Sequence, residues 1–168
     1  MNISKEVDIQ NAISMIREAK RPYILVGGGA VISDAADELK EFAEKVDAPV
    51  CDTLMGKGAF NGTDERYSGM LGMHGTKASN LGVSHCDLLI AVGTRFSDRV
   101  LGNPKTFAKN AKILQIDVDP VEINKNICVS ASIIGDVKAV LTVINRRLEA
   151  QEHKEWLDTV KEYKENIH

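Results

Sequence analysis

Apolar positions along the chain follow two alternating rhythms. Ile9, Ala12, Ile13 and Ile16 recur at helical spacing behind Asp8 and stop at Arg21-Pro22, which predicts a capped amphipathic helix over 8–19. Tyr23 to Val26 is a continuous apolar run that enters Gly27-Gly28-Gly29, and Ala35, Leu39, Phe42, Ala43 and Val46 then return to helical spacing behind Ser33 or Asp34. That is strand, glycine turn, helix. Asp47-Ala48-Pro49 turns the chain into a second strand, Val50 to Thr53. Met55-Gly56-Lys57-Gly58 and Asn61-Gly62-Thr63-Asp64 follow without periodicity, a connection long enough to suggest a functional loop.

The stretch from His74 to Val100 compresses the pattern. A glycine-bearing entry leads into a helix over 76–85, then into the strand Asp87 to Val92, which must stop at Gly93-Thr94-Arg95. Ile113 to Val118 and Val129 to Ile134 read as two more strands, separated by a turn of helix over 119–123 with Pro120 at its first position. Asp136 is placed to cap a helix whose Val137, Val140, Leu141, Ile144 and Leu148 share a face. Strands that are apolar throughout and alternate with helices predict an α/β fold, a three-layer and mostly parallel doubly wound sheet of the Rossmann-like, nucleotide-binding kind. After Ala150 the composition turns charged, and Trp156, Val160, Tyr163 and Ile167 leave only a narrow apolar stripe. We divide the chain into one domain over 1–150 and a helical tail over 151–168 whose expected contact lies outside that domain.

Composition narrows the function. A length of 168 residues, 43% of them hydrophobic, suits one buried domain better than two. The net charge of −3 with dispersed Lys and Arg provides no basic face for nucleic acid, and an aromatic content of 5% provides no stacking platform. Cys51, Cys86 and Cys128 show no metal-ligand spacing and are expected to be buried free thiols of a reducing compartment. No apolar run approaches the roughly 18 residues of a membrane span, so a cytoplasmic protein is expected.

Candidate chemistry gathers at strand ends, where parallel sheets bind ligands. Gly27-x-Gly29 starts a dinucleotide fingerprint, but Ile32 stands where the third glycine belongs, so a phosphate-binding turn competes with a merely tight one. Asp52 lies where an acidic residue could meet a ribose, and Asp117 where a ribose contact competes with a cap. Arg95 and Arg99 flank Asp98 past a strand end and suit either bidentate phosphate binding or an ion pair with that carboxylate. His74 is a general-base candidate or a packing residue. Nucleophile elbow, P-loop and metal-ligand motifs are absent from the sequence, so a cofactor-holding module without its own reactive centre is expected.

GGGAVISDA, TLMGKGAF with its following Asp64, YSGMLGMHGTKASNLGVSHCDLLIAVGTRFSDRVLGN, and DVDPVEINK with the closing IIGD together resemble the middle domain of the acetohydroxyacid synthase (acetolactate synthase) large-subunit family, thiamine-diphosphate enzymes. The resemblance runs from about Val7 to Leu148. It implies a three-domain parent whose other domains carry the catalytic Glu, thiamine diphosphate and Mg²⁺, and which joins two pyruvates, or pyruvate and 2-oxobutyrate, on the way to branched-chain amino acids. It also implies a regulatory small subunit for the full enzyme and FAD, without a redox role, for this domain. By position the implied FAD contacts are Gly27, Gly28, Gly29, Thr53, Leu54, Leu71, Gly72, Met73, His74, Gly93, Thr94, Arg95, Arg99, Val100, Asp117, Val118, Gly135 and Asp136. Met73, Asp98 and Arg99 are further implied to border the substrate and inhibitor channel. The alternatives are a stand-alone NAD(P)-binding oxidoreductase domain, a structural spacer without a nucleotide, and the middle domain of a related carboligase or oxidase such as glyoxylate carboligase or pyruvate oxidase.

Overall fold

The computed structural model describes residues 5–72, 75–94, 108–118 and 129–165. Among the described residues twelve elements follow one another: α1 (Glu6–Glu18), β1 (Pro22–Val26), α2 (Gly28–Ile32), α3 (Ala36–Val46), β2 (Val50–Asp52), β3 (Tyr67–Met70), α4 (Lys77–His85), β4 (Leu88–Val92), β5 (Lys112–Asp117), β6 (Ala131–Ile134), α5 (Val137–Arg147) and α6 (Lys154–Glu165). The strands form one sheet in the order β3-β2-β1-β4-β5-β6. Every neighbouring pair is parallel.

Alternate residues of the central strands feed two separate cores, because successive side chains of a strand point to opposite faces. Ile24, Val26, Ile90, Val92, Leu114 and Ile116 pack with α1, α3 and α5 on one face. Tyr23, Leu25, Leu89, Ala91 and Ile113 pack with α4 and α6 on the other. The three layers expected from the uniformly apolar strands are therefore present. Among the described residues no helix is long and apolar enough to cross a membrane.

Local chemistry sets several boundaries. Thr76 caps α4, its Oγ1 accepting from the Ser79 amide at 3.1 Å. Asp136 caps α5 in the same way, accepting from the Ala139 amide at 3.0 Å, as its sequence position suggests. Asp8 does not cap α1; the helix begins at Glu6, and Asp8 lies in its first turn, where a carboxylate favours the positive end of the helix dipole. Neither Ser33 nor Asp34 caps α3. Asp34 instead takes a left-handed conformation, φ 56°, in the turn between α2 and α3.

Three further features differ from the sequence expectation. The triple glycine opens a short helix, α2, rather than a bare turn. The stretch between the expected second strand and the helix over 76–85 contains β3, an edge strand that the periodicity hides because its register shifts beside β2 and Gly69 sits at φ 109°. The apolar stripe of the tail finds its contact inside this domain. Trp156 and Val160 are buried in the second core, and the Trp156 indole donates to the Pro22 carbonyl at 2.7 Å.

The segment joining α5 to α6 carries the chain around the amino-terminal rim of the sheet, from one face to the other. Gln151 ties it to the helix ends above: its amide donates to the Lys45 carbonyl at 2.7 Å and its side chain to Ile16 at 3.1 Å. The His153 amide donates to Asp47 Oδ2 at 2.8 Å, and Asp47 Oδ1 takes the Arg66 guanidinium at 2.8 Å. The thiols of Cys51 and Cys86 are buried and unbridged. Burial pushes both up, Cys86 to about 12, so they are inert as nucleophiles at neutral pH. Cys128 and the helical turn expected over 119–123 lie outside the described residues.

Candidate functional site

Because the strands are parallel, their carboxyl ends share one rim. Val26 lies beside Asp52 and Val92, Asp52 beside Met70, Val92 beside Ile116, and Asp117 beside Ile134. The chain proceeds outward from β1 to β3 and then restarts at β4 on β1's other side. The connections after β1 and β4 thus leave in opposite directions and open a crevice, the place where such sheets bind ligands.

Two turns meet there as backbone on backbone. The amides of Gly27 and Gly29 donate to the carbonyls of Val92 and Gly93, each at 2.9 Å. A Cβ on Gly27 would overlap the Gly93 carbonyl and stand 2.6 Å from Thr94 Cα, and one on Gly29 would stand 2.8 Å from Gly93 Cα. Gly93 itself holds φ 65°, a conformation that glycine adopts without strain. The first reason for these glycines is therefore close approach of the two turns. A phosphate near this seam must take its hydrogen bonds from groups other than the Gly27 and Gly29 amides. Gly28 differs: it is only partly covered, and its nearest neighbour is the exposed Met55 side chain.

The remaining described candidates follow the same rim. Thr53 and Leu54 succeed β2, Leu71 and Gly72 succeed β3, Thr94 succeeds β4, Asp117 ends β5 with Val118 beyond it, and Gly135 and Asp136 succeed β6. Thr53 Oγ1 accepts from the Gly56 amide at 3.2 Å and tightens its turn. Asp117 Oδ1 accepts from the Val118 amide at 2.7 Å, and the Gly135 amide donates to the Asp117 carbonyl at 2.9 Å. Met73, His74, Arg95, Asp98, Arg99 and Val100 lie outside the described residues.

Burial separates the rim from the rest of the sheet. Asp52, Thr53, Thr94, Gln115 and Asp117 are all buried polar side chains at or just below this rim. Leu54 and Met55, by contrast, are 72% and 76% exposed, and Val118 is exposed beside Asp117. Buried polar groups converging beneath exposed apolar ones suit a ligand with both a flat apolar part and a hydroxyl-rich part.

Asp52 departs from its expected role. Its side chain turns inward and accepts from the Tyr67 hydroxyl at 3.0 Å, so it is not presented to a ribose. Burial raises its carboxyl above the usual range, with the Tyr67 hydrogen bond opposing, and the same burial moves the Tyr67 phenol up to about 12. The folded chain thus binds this proton more tightly than the unfolded one, and stability falls as pH rises through the folded value. Asp52→Asn keeps an oxygen for Tyr67 without the buried charge. It should melt a few degrees higher than the parent at pH 7, with the difference vanishing as the pH drops below about 4, where both forms are neutral. A variant that melts lower at pH 7 would show that the charge is needed.

A second buried cluster, which the sequence reading did not single out, stiffens the approach to the rim. Tyr23 Oη meets Ser68 Oγ, Ser68 Oγ meets Ser79 Oγ at 2.9 Å, and Ser79 donates to the Gly69 carbonyl at 3.1 Å. These bonds tie β1, β3 and α4 together. Small hydroxyl residues scattered through sequence carry no periodic signal by which they could be found.

Comparison with known proteins gives a consistent result. Residues 9–144 match the family described as thiamine pyrophosphate enzyme, central domain. A probable acetolactate synthase large subunit of Methanocaldococcus jannaschii is 48% identical over 165 residues, covering 96% of this chain and 28% of that protein. That of Methanococcus aeolicus is 49% identical over 141 residues, 84% of this chain and 24% of the relative. The acetolactate synthase large subunit of Cyanidium caldarium is 44% identical over 163 residues, 93% and 28%. The chain thus spans about a quarter of the length of these relatives, 24% to 28%.

Proposed function

The chain belongs to the thiamine pyrophosphate enzyme central-domain family, and from that premise we propose that it is the FAD-holding middle domain of an acetolactate synthase large subunit. The observation that carries the nucleotide reading is the rim itself: three buried polar side chains, Thr53, Thr94 and Asp117, lie at the crevice of a parallel sheet near exposed Leu54, Met55 and Val118. Hydroxyl and carboxylate oxygens fit the ribityl and ribose hydroxyls of a flavin nucleotide, and the exposed aliphatic groups fit its ring.

In this reading the residues at Gly28, Thr53, Leu54, Leu71, Gly72, Thr94, Asp117, Val118, Gly135 and Asp136 bind and orient the cofactor, with Met73, His74, Arg95, Arg99 and Val100 completing the set. Met73, Asp98 and Arg99 border the substrate channel of the assembled parent. The flavin, when bound, supplies shape and no redox step. Thiamine diphosphate, Mg²⁺ and the carbon–carbon bond formation between two pyruvates, or pyruvate and 2-oxobutyrate, belong to the parent's other domains. A regulatory small subunit and a cytoplasmic location complete the proposal.

The test is direct. FAD titrated with the purified chain should show saturable quenching of flavin fluorescence in the micromolar range, while NADH should not compete. Fluorescence unchanged at high micromolar protein would leave a structural spacer, and displacement by NADH would point to the oxidoreductase alternative. Addition of pyruvate and thiamine diphosphate should yield no acetolactate from this domain alone.

A further inference from the structure

We propose that Gln115, to which no role at the rim attaches so far, is a positioning residue that fixes the turn after β4 in the form that receives the nucleotide. The functional half of this rests on the flavin reading above; the mechanical half does not. Gln115 sits in β5, one of the two strands that flank β4. Its neighbours Leu114 and Ile116 point into the first core, while Gln115 shares the other face with Ile113. An amide buried among aliphatic side chains is unfavourable unless its hydrogen bonds are made.

Here the amide reaches across to the neighbouring strand's exit. Gln115 Nε2 donates to the Thr94 carbonyl at 3.2 Å, although in register Gln115 lies beside Ala91, three residues earlier. The rest of that turn is held from other directions. The Gly93 amide donates to the Ile116 carbonyl at 2.7 Å, the Gly93 carbonyl accepts from Gly29 at 2.9 Å, and Thr94 Oγ1 donates to the Leu25 carbonyl at 3.3 Å. Both carbonyls of Gly93-Thr94 therefore have fixed partners, one from α2 and one from Gln115. Gly93 alone, at φ 65°, would leave the turn free to pivot. The Gln115 bond fixes the direction of the Thr94 carbonyl.

Two variants of the full chain separate this from a packing role. Gln115→Met keeps length and volume but removes the donor, and Gln115→Glu keeps length and polarity while offering only lone pairs once ionised, so it is read at alkaline pH, above a carboxyl that burial raises. Amide hydrogen exchange should accelerate at Gly93 and Gly29 in both, with the Ile24 amide at the centre of the sheet unchanged. FAD affinity should fall about tenfold, the effect of one lost buried hydrogen bond. Acidification of Gln115→Glu should restore both readouts, since a protonated carboxyl can donate to Thr94 again.

Exchange at Gly93 and Gly29 within twofold of the parent would overturn the proposal. Faster exchange with unchanged FAD affinity would reduce Gln115 to a structural residue and overturn its functional half. A parent chain that binds no FAD, combined with faster exchange in the variants, would remove the flavin reading and leave the mechanical assignment standing. Should Gln115→Met fail to fold, the site pattern in Gln115→Glu decides: faster exchange confined to Gly93 and Gly29 supports the proposal, while a buried carboxylate that only weakened the fold would speed the Ile24 amide as well and overturn it.

Discussion

Gly27→Ala should destabilise the chain by about 3 kcal/mol or more, at the upper end of what overpacking costs. On a chain of this length that is a fall in melting temperature of roughly 10 °C. The added methyl would collide with the Gly93 carbonyl and lie 2.6 Å from Thr94 Cα and from Thr94 Oγ1. Two of those three obstacles are backbone, which has no rotamer to change. Relief requires the exits of β1 and β4 to separate, and the bonds from Gly27 to Val92 and from Gly29 to Gly93 go with them. Gly28→Ala is the control. Its methyl would stand 3.2 Å from Met55 Cβ and 3.6 Å from the Met55 carbonyl oxygen, a tight contact that a small shift of the exposed Met55 relieves. Alanine also favours the helix over glycine, so this variant should melt within about 2 °C of the parent. Thermal melts followed by circular dichroism check both; a Gly27→Ala chain as stable as the Gly28→Ala chain would refute the close-approach account of the seam.

That contrast shows what a glycine motif in sequence conveys and what it does not. Gly27-Gly28-Gly29 reads as one feature, yet two of its members serve the contact with β4 and the third faces the rim. The distinction depends on Gly93, more than sixty residues away. The strands themselves were legible because β1 and β4 are covered on both faces and read as continuous apolar runs, and β5 breaks that run only at its ends and at Gln115. β3 was not, since an edge strand with Ser68 and Gly69 at its centre needs no apolar pattern. Capping was legible only where the capping side chain bonds locally, as at Asp136. The described candidate residues lie on one rim because strand ends can be read from pattern and parallel strands share their direction. The inward turn of Asp52 toward Tyr67 could not be read, because nothing in the sequence pairs those two positions. Gln115 left the one available trace, an amide inside an apolar run, and an amide there calls for a partner.

The second large effect should come from the tail. Trp156→Ala is expected to lose about 3–5 kcal/mol, the range for emptying a buried aromatic site, and to melt roughly 10 °C lower or more. The indole closes the second core from the amino-terminal side. Its ring stands edge-on to Tyr23, centroids 6.3 Å apart and planes at 73°, and its Nε1–H satisfies the Pro22 carbonyl. Tyr23 in turn carries the hydroxyl cluster that joins β1 to β3 and α4, so a cavity at 156 loosens the anchorage of the connections that reach the rim. Trp156→Phe keeps one aromatic ring but loses the N–H and part of the buried volume. It should recover most of the loss and retain a deficit of about 1–3 kcal/mol for the orphaned carbonyl. Trp156 is the only tryptophan, so its own emission reports the parent transition, while circular dichroism follows the variants. If α6 were only a linker awaiting another domain, Trp156→Ala would melt with the parent. A chain ending at Leu148 would then keep its fold, whereas the packing of Trp156 and Val160 against the sheet predicts that it unfolds or aggregates through an uncovered face.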